Sequence, residues 1–303
     1  MKKRICLIGE VLVDLIADSN LNISPSPGGS IFNTANTLSK LGAKTSFYSQ
    51  IGDDLWGKYL IQKMTEVGID HNFVKISSDF KTPLAFATLD ENNNAHYDFY
   101  KSKFNYTIQN NDLYNAGIFH FGSFFSVLSE NQKNIQKIFN TSKKEKYLIS
   151  YDPNYRKNFT KDNMKNLFNN FKNSHIIKLS LDDMQNIFGI SDIKIGVDTI
   201  KKFNPLLIII TAGKDGSYLS FLDKPIIKVD AENVTVVDTI GAGDSYSSGL
   251  LYYLYQKEIF TKEFLLSLKE ENLYDMLRFA TKISSISLTI KGADIPKDLL
   301  SKV

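Results

Sequence analysis

Val236-Val237-Asp238-Thr239-Ile240-Gly241-Ala242-Gly243-Asp244-Ser245-Tyr246 opens the last quarter of the chain, and its reading decides the rest. A β-branched run gives way to two glycines separated by one alanine, then to an aspartate, then to Tyr246, Leu250, Tyr253 and Leu254 at helical spacing. The pattern predicts strand, tight turn and helix. Gly241 and Gly243 let backbone N–H groups converge without Cβ obstruction, and the helix start adds unpaired donors and the positive end of its dipole. The turn reads as an anion cradle. Asp244 is out of place there, because its carboxylate repels the phosphate that the cradle attracts. Two readings of it stand: an N-cap on an ordinary glycine-rich turn, or a general base that takes the proton of a hydroxyl attacking the phosphate.

The 303 residues suffice for one large α/β domain or two unequal ones with a substantial core. An apolar share of 43% beside 23% charged residues is ordinary for a soluble globular protein. The net charge of +3 is spread along the chain, which argues against nucleic acid and membrane surfaces and for small-molecule partners. Cys6 is the single cysteine, so an intramolecular disulfide and a thiolate-rich zinc site are excluded. Met1-Lys2-Lys3-Arg4 imitates the start of a signal peptide, but Glu10 and Asp14 break the apolar run, and no run approaches the roughly 20 apolar residues of a membrane span. The expected location is cytoplasmic.

Working back toward the N-terminus, Lys3 to Gly9 predicts a buried first strand, and Glu10 to Ala17 an imperfectly alternating one that carries Asp14. Pro25-Ser26-Pro27-Gly28-Gly29 forbids regular structure and brings the backbone close to something, after which Ser30 is placed to cap a helix running to Leu41-Gly42 with Asn33 one turn in. A strand at 46–51 and a helix at 53–68 follow. Residues 73–101 alternate on both sides of an Asn-rich tip at 90–94, a hairpin signature, and read as a flap over a site. From residue 117 the chain keeps a βαβ grammar, with strands at 118–122, 146–151, 176–179 and 206–211 and helices near 129–140, 160–172 and 181–203. A hairpin at 218–229 and helices near 243–256, 262–269 and 271–288 finish the chain. Ligands of such a sheet are expected beyond the carboxyl ends of its strands. Polar clusters stand there: Asp152-Pro153-Asn154-Tyr155-Arg156, Ser180-Leu181-Asp182-Asp183 and Thr211-Ala212-Gly213-Lys214-Asp215-Gly216.

In this order the motifs make the chain resemble the ribokinase-like (PfkB-type) family of carbohydrate kinases, and within it the bacterial fructokinases. Gly28-Gly29-Ser30-Ile31-Phe32-Asn33-Thr34-Ala35 is similar to the family's first signature and Asp238-Thr239-Ile240-Gly241-Ala242-Gly243-Asp244 to its second, with Lys291-Gly292-Ala293-Asp294-Ile295-Pro296 closing the series. The resemblance spans essentially the whole chain. It implies one three-layer α/β/α domain over residues 1–303, built on a parallel sheet, with a small β-sheet lid from about 11–26 and 73–101. By the same resemblance Asp244 is the catalytic base, Gly241, Ala242 and Gly243 form the anion hole, and Arg156 adds a cation. Asp14, Gly28, Gly29, Asn33, Tyr100 and Lys101 would bind the sugar. Asn154, Ser180, Thr211, Gly213, Gly216 and Gly243 would bind ATP, with Asp183 reaching Mg²⁺ through water. A monovalent cation such as K⁺ is a further expectation, and the apolar surface of an exposed lid sheet gives a surface through which a homodimer could form.

Four departures from the family pattern stand out. Ser180 and Asp183 are each shorter than the family's Asn-x-x-Glu pair, Ile240 replaces a small polar residue, Tyr246 replaces a phenylalanine, and Lys101 stands where an arginine often follows a tyrosine. The expected reaction moves the γ-phosphoryl of ATP to a primary hydroxyl of a monosaccharide, fructose first. Alternatives are 2-keto-3-deoxygluconate, ribose or a nucleoside as acceptor, or a non-catalytic sugar-sensing protein on the same fold. A dinucleotide dehydrogenase is disfavoured because no glycine fingerprint follows the first strand.

Overall fold

The computed structural model describes residues 3–17, 22–89, 95–100, 102–109, 113, 115–155 and 159–302. Strand β1 (Arg4–Ile8) lies inside the main sheet; β2 (Leu12–Ala17) and β3 (Ile23–Gly28) leave it, and α1 (Ser30–Lys40) returns the chain to it. Then come β4 (Thr45–Gly52), α2 (Leu55–Val67), β5 (Val74–Ser77), β6 (Leu84–Leu89) and β7 (Ala95–Tyr100). The regular half runs β8 (Ala116–Gly122), α3 (Gln132–Glu145), β9 (Leu148–Asp152), α4 (Lys161–Asn173), β10 (Ile176–Ser180), α5 (Leu181–Phe188), α6 (Ile193–Lys201) and β11 (Leu207–Thr211). It ends with β12 (Ser217–Phe221), β13 (Ile227–Val229), α7 (Ala242–Gln256), α8 (Lys262–Leu266), α9 (Glu270–Leu288) and α10 (Lys297–Leu300).

The main sheet has nine strands in the order β13-β12-β11-β10-β9-β8-β1-β4-β5 among the described residues. From β11 to β5 every pairing is parallel, and β12 and β13 add an antiparallel edge. Successive side chains of β1 go to opposite faces. Ile5 and Leu7 join the core under α1, α7 and α9 with Phe32, Leu250 and Leu277, whereas Cys6 and Ile8 join the core under α3, α4 and α6 with Ile138, Phe171 and Ile200. Helices on both faces of a parallel sheet make the three-layer architecture expected of βαβ units. The second sheet, ordered β3-β2-β6-β7, is the small lid sheet.

Local rules failed at identifiable places. The stretch 181–203 is two helices, because Gly189 ends α5 in the left-handed region at φ 71° and Asp192 caps α6 by accepting from the Ile195 amide. Val236 and Val237 form no strand: they are 56% and 61% exposed, and the Val237 amide donates to the Leu288 carbonyl at the end of α9. β-branching alone did not add them to the sheet, which ends at β13 among the described residues; the chain is held to the end of α9 instead. Val74 to Ser77, read with the flap, pairs with β4 at the opposite edge of the main sheet. The Asn-rich tip at 90–94 lies outside the described residues.

Candidate active site

The α7 helix begins at Gly241, its N-cap, whose φ of 78° and whose approach to Ala293, 2.4 Å from where a Cβ would sit, admit only glycine. Asp244 therefore falls in the first turn of α7 and caps nothing. Its side chain is turned to α1: Ser30 Oγ donates to Oδ1 at 2.6 Å and Asn33 Nδ2 donates to Oδ2 at 2.9 Å. Thr34 Oγ1, one turn along α1 from Ser30, donates to the Asp244 carbonyl at 3.3 Å. Burial pushes the Asp244 carboxyl up to about 6, with the bonds from Ser30 and Asn33 working the other way. Each carboxylate oxygen has spare capacity for a further donor. A buried carboxylate that ionises near neutrality is suited to accept a proton.

Ser30 does not cap α1; the N-cap is Gly29, and no side chain bonds there. The serine hydroxyl is spent on Asp244 instead, a partner 214 residues away that sequence spacing could not reveal. Asn33, expected to face a sugar, donates to the Asp244 carboxylate. Asp14 stands at the other end of the same short backbone: a Cβ on Gly28 would meet Asp14 Oδ2 at 2.1 Å, so glycine lets the strand pass that carboxylate without displacing it. Burial raises Asp14 to about 6 as well. Gly28-Gly29-Ser30 thus links the two carboxylates. Tyr100, at the end of β7, is 63% exposed, while Lys101 lies outside the described residues.

Around the turn, the Ala242 amide folds back onto the Thr239 carbonyl at 3.3 Å, whereas α7 itself leaves the amides of its first turn without intrahelical acceptors. Thr211 ends β11, beside Ser180 at the end of β10. Gly213, with φ 54°, borders open space, and the Gly216 carbonyl accepts from the Ala212 amide to close the loop. Asn154, with φ 37°, follows Asp152, and Arg156 lies outside the described residues. Asp183 accepts from the Tyr155 amide at 2.8 Å and from the Ser180 amide at 3.0 Å, and Ser180 Oγ accepts from the Asp183 amide. These two residues form a capping box, and Asp183 also ties the 153–155 loop to α5.

Sequence reading missed Lys178. It is the only fully buried lysine among the described residues, and its Nζ donates to Asp152 Oδ2 at 2.8 Å and to the Gly243 carbonyl at 3.2 Å. Burial works against its charge, yet the neighbouring Asp152 holds its pKa above the usual lysine range. A second feature lies beside the turn, where Ser284 Oγ donates to the Ala242 carbonyl at 3.0 Å. Next to it opens a cleft of about 270 Å³ lined by Val234, Ser285, Ile286, Leu299 and the lysines 282 and 302.

The chain belongs to the pfkB family of carbohydrate kinases, whose model matches residues 2–299. It is a sugar kinase of the fructokinase-like kind. A fructokinase from Rhizobium leguminosarum bv. trifolii is 32% identical over 278 residues, covering 88% of this chain and 84% of that protein. In structure the chain is similar to the fructokinase of Xylella fastidiosa with bound ATP, at a TM-score of 0.89 and 22% identity, over 99% of this chain and 98% of the other. A double mutant of the Vibrio cholerae O395 fructokinase, in a form with fructose, ADP and potassium bound, gives a TM-score of 0.85 at 21% identity over 99% and 97%. These likenesses agree with the three-layer fold. No described helix is long and apolar enough to cross a membrane.

Proposed function

We propose that this sugar kinase phosphorylates fructose on a primary hydroxyl, forming fructose 6-phosphate, with Asp244 as general base. The observation that carries the mechanism is the buried Asp244 carboxylate, oriented by Ser30 and Asn33 at the start of α7. The choice of fructose is supported by the Rhizobium fructokinase at 32% identity.

A sugar hydroxyl is far less acidic than a carboxyl group, so Asp244 does not ionise it in the ground state. It orients the hydroxyl and takes its proton late, when bond formation to phosphorus has made it acidic. Asp14 and the Gly28–Gly29 backbone hold the other hydroxyls and keep the acceptor pointed at Asp244. The amides of Gly241, Gly243 and Asp244 receive the charge that builds on the transferred group, with Arg156 as an added cation. Thr211, Gly213, Gly216, Ser180 and Asn154 take the nucleotide, and the cleft between Val234, Ile286 and Leu299 has the apolar walls that a base requires. A magnesium ion reached through water from Asp183 would supply charge neutralisation at the phosphates. Closure of the small sheet over the sugar excludes water as a competing acceptor.

The same reading includes a cytoplasmic location, a role for potassium, and a homodimer through the small sheet, whose edge strands expose Ile23, Phe99 and Tyr100. Sedimentation tests the dimer, and rates in potassium against sodium salts test the cation. The deciding experiment is ADP release measured across a panel of monosaccharides and nucleosides. The expected result is the highest kcat/KM with D-fructose. Preference for ribose, 2-keto-3-deoxygluconate or a nucleoside would replace the substrate, and failure of every acceptor would favour a sugar-sensing role.

A further inference from the structure

We propose that Lys178 is a positioning residue for phosphoryl transfer, pinning the first turn of α7 to the sheet through the Gly243 carbonyl and, with Asp152, setting the charge beneath Asp244; this rests on Asp244 being the base. Lys178 interrupts the apolar run Ile176-Ile177-Lys178-Leu179 at the carboxyl end of β10, and only 5% of it is exposed. An ammonium is buried that deeply only where it is paired. Here the pair is shared with the catalytic helix. Asp152 Oδ2 accepts from Lys178 Nζ and also from Ser247 Oγ at 3.1 Å, so α7 is tied to β9 and β10 at residues 243 and 247, one turn apart.

The tie at 243 has a direct geometric consequence. The peptide joining Gly243 to Asp244 is planar and trans, so fixing its carbonyl on Lys178 fixes the opposite direction of the Asp244 N–H. That amide belongs to the anion-holding turn. Gly243 is also what makes room for the ammonium, since a Cβ there would lie 3.1 Å from Lys178 Nζ. A purely structural role explains this poorly, because a buried ion pair can often be replaced by apolar groups without loss of stability.

The charged groups around the pair are Asp183 on α5 and Asp244 on α7, with His120 on β8 kept neutral by burial. Lys178 draws the Asp244 carboxyl down and Asp152 pushes it up. Removing either partner should therefore move Asp244 in opposite directions, which a role in packing alone would not do.

The test labels the aspartate carboxyl carbons and follows the Asp244 resonance by NMR titration, assigned by its loss in Asp244→Asn. Lys178→Met should raise the Asp244 midpoint by about one pH unit and Asp152→Asn should lower it by about the same. The Lys178→Met/Asp152→Asn double variant, free of unpaired charge, should stay folded and return the midpoint close to that of the natural protein. Its kcat with D-fructose and MgATP should nevertheless fall at least tenfold, with both KM values within about threefold, because the turn is no longer pinned. Unmoved midpoints in the single variants, or undiminished kcat in the double variant, would overturn the proposal. If Lys178→Met fails to fold, Asp152→Asn and the double variant carry the same two readouts. Undiminished kcat in Asp244→Asn would instead defeat the base assignment, and the titration midpoints would still report on Lys178.

Discussion

Replacing Asp244 with asparagine (D244N) is expected to disable the enzyme while making it more stable. Burial raises this carboxyl from 3.8 to about 6, against the hydrogen bonds from Ser30 and Asn33 that favour its charged form. The folded protein thus holds the proton more tightly than the unfolded chain, so the folded state loses stability as pH rises from 3.8 and the loss levels off above about 6. At about 1.4 kcal/mol per pH unit, the gap between 3.8 and about 6 is a penalty of about 3 kcal/mol at neutral and alkaline pH. Asparagine never carries the charge. It also fits the site: its carbonyl oxygen can accept from Asn33 Nδ2, and its amide can donate to Ser30 Oγ, a hydroxyl free to turn and accept. Urea unfolding followed by the fluorescence of Trp56, the single tryptophan, should show D244N more stable by up to about 3 kcal/mol at pH 8, with the gain vanishing toward pH 4. Turnover should fall by about 10² or more, and turnover of the natural protein should decline as pH drops through about 6 and the base takes up its proton. A variant less stable at pH 8, or a gain that is equal at both pH values, would refute the assignment of a desolvated carboxylate, and near-normal turnover would refute its role as base.

Two further outcomes follow from contacts at either end of the site. Gly28→Ala places a Cβ against Asp14 Oδ2, which must swing away; the KM for sugar should rise at least tenfold, as in Asp14→Ala, with the KM for ATP nearly constant in steady-state kinetics. Tyr246→Phe removes a buried hydroxyl that donates to Ser217 Oγ at 2.9 Å. It should lower stability by about 1 kcal/mol in urea unfolding, and adding Ser217→Ala should recover most of that loss by removing the stranded partner.

The parts of the site that depend on local chain geometry were legible in the sequence. Gly241, Gly243 and Gly28 announce tight passages, and the clusters at 152–156, 180–183 and 211–216 stand at strand ends because a βαβ chain puts them there. What stayed hidden depends on partners far along the chain. Ser30 looked like a cap because its hydroxyl precedes a helix, and nothing local reveals that Asp244 takes it. Lys178 carries no local signal, since what makes it informative is its pairing with Asp152 on β9 and with the Gly243 carbonyl on α7. Tyr246 in place of a phenylalanine looked neutral, yet its buried hydroxyl donates to Ser217, a partner 29 residues away that local sequence does not reveal. The break between α5 and α6 is marked in the sequence by Gly189 and Asp192.

The separation of Asp14 and Asp244 onto different elements has a consequence for how such an enzyme diversifies. In the proposed mechanism the proton acceptor Asp244 and the amide donors ride together on one helix, whereas Asp14 sits on a strand of the small sheet, with Gly28-Gly29-Ser30 running between the two. Changes in acceptor preference can therefore accumulate on β2, β6 and β7 while the machinery for moving the phosphoryl group is inherited intact.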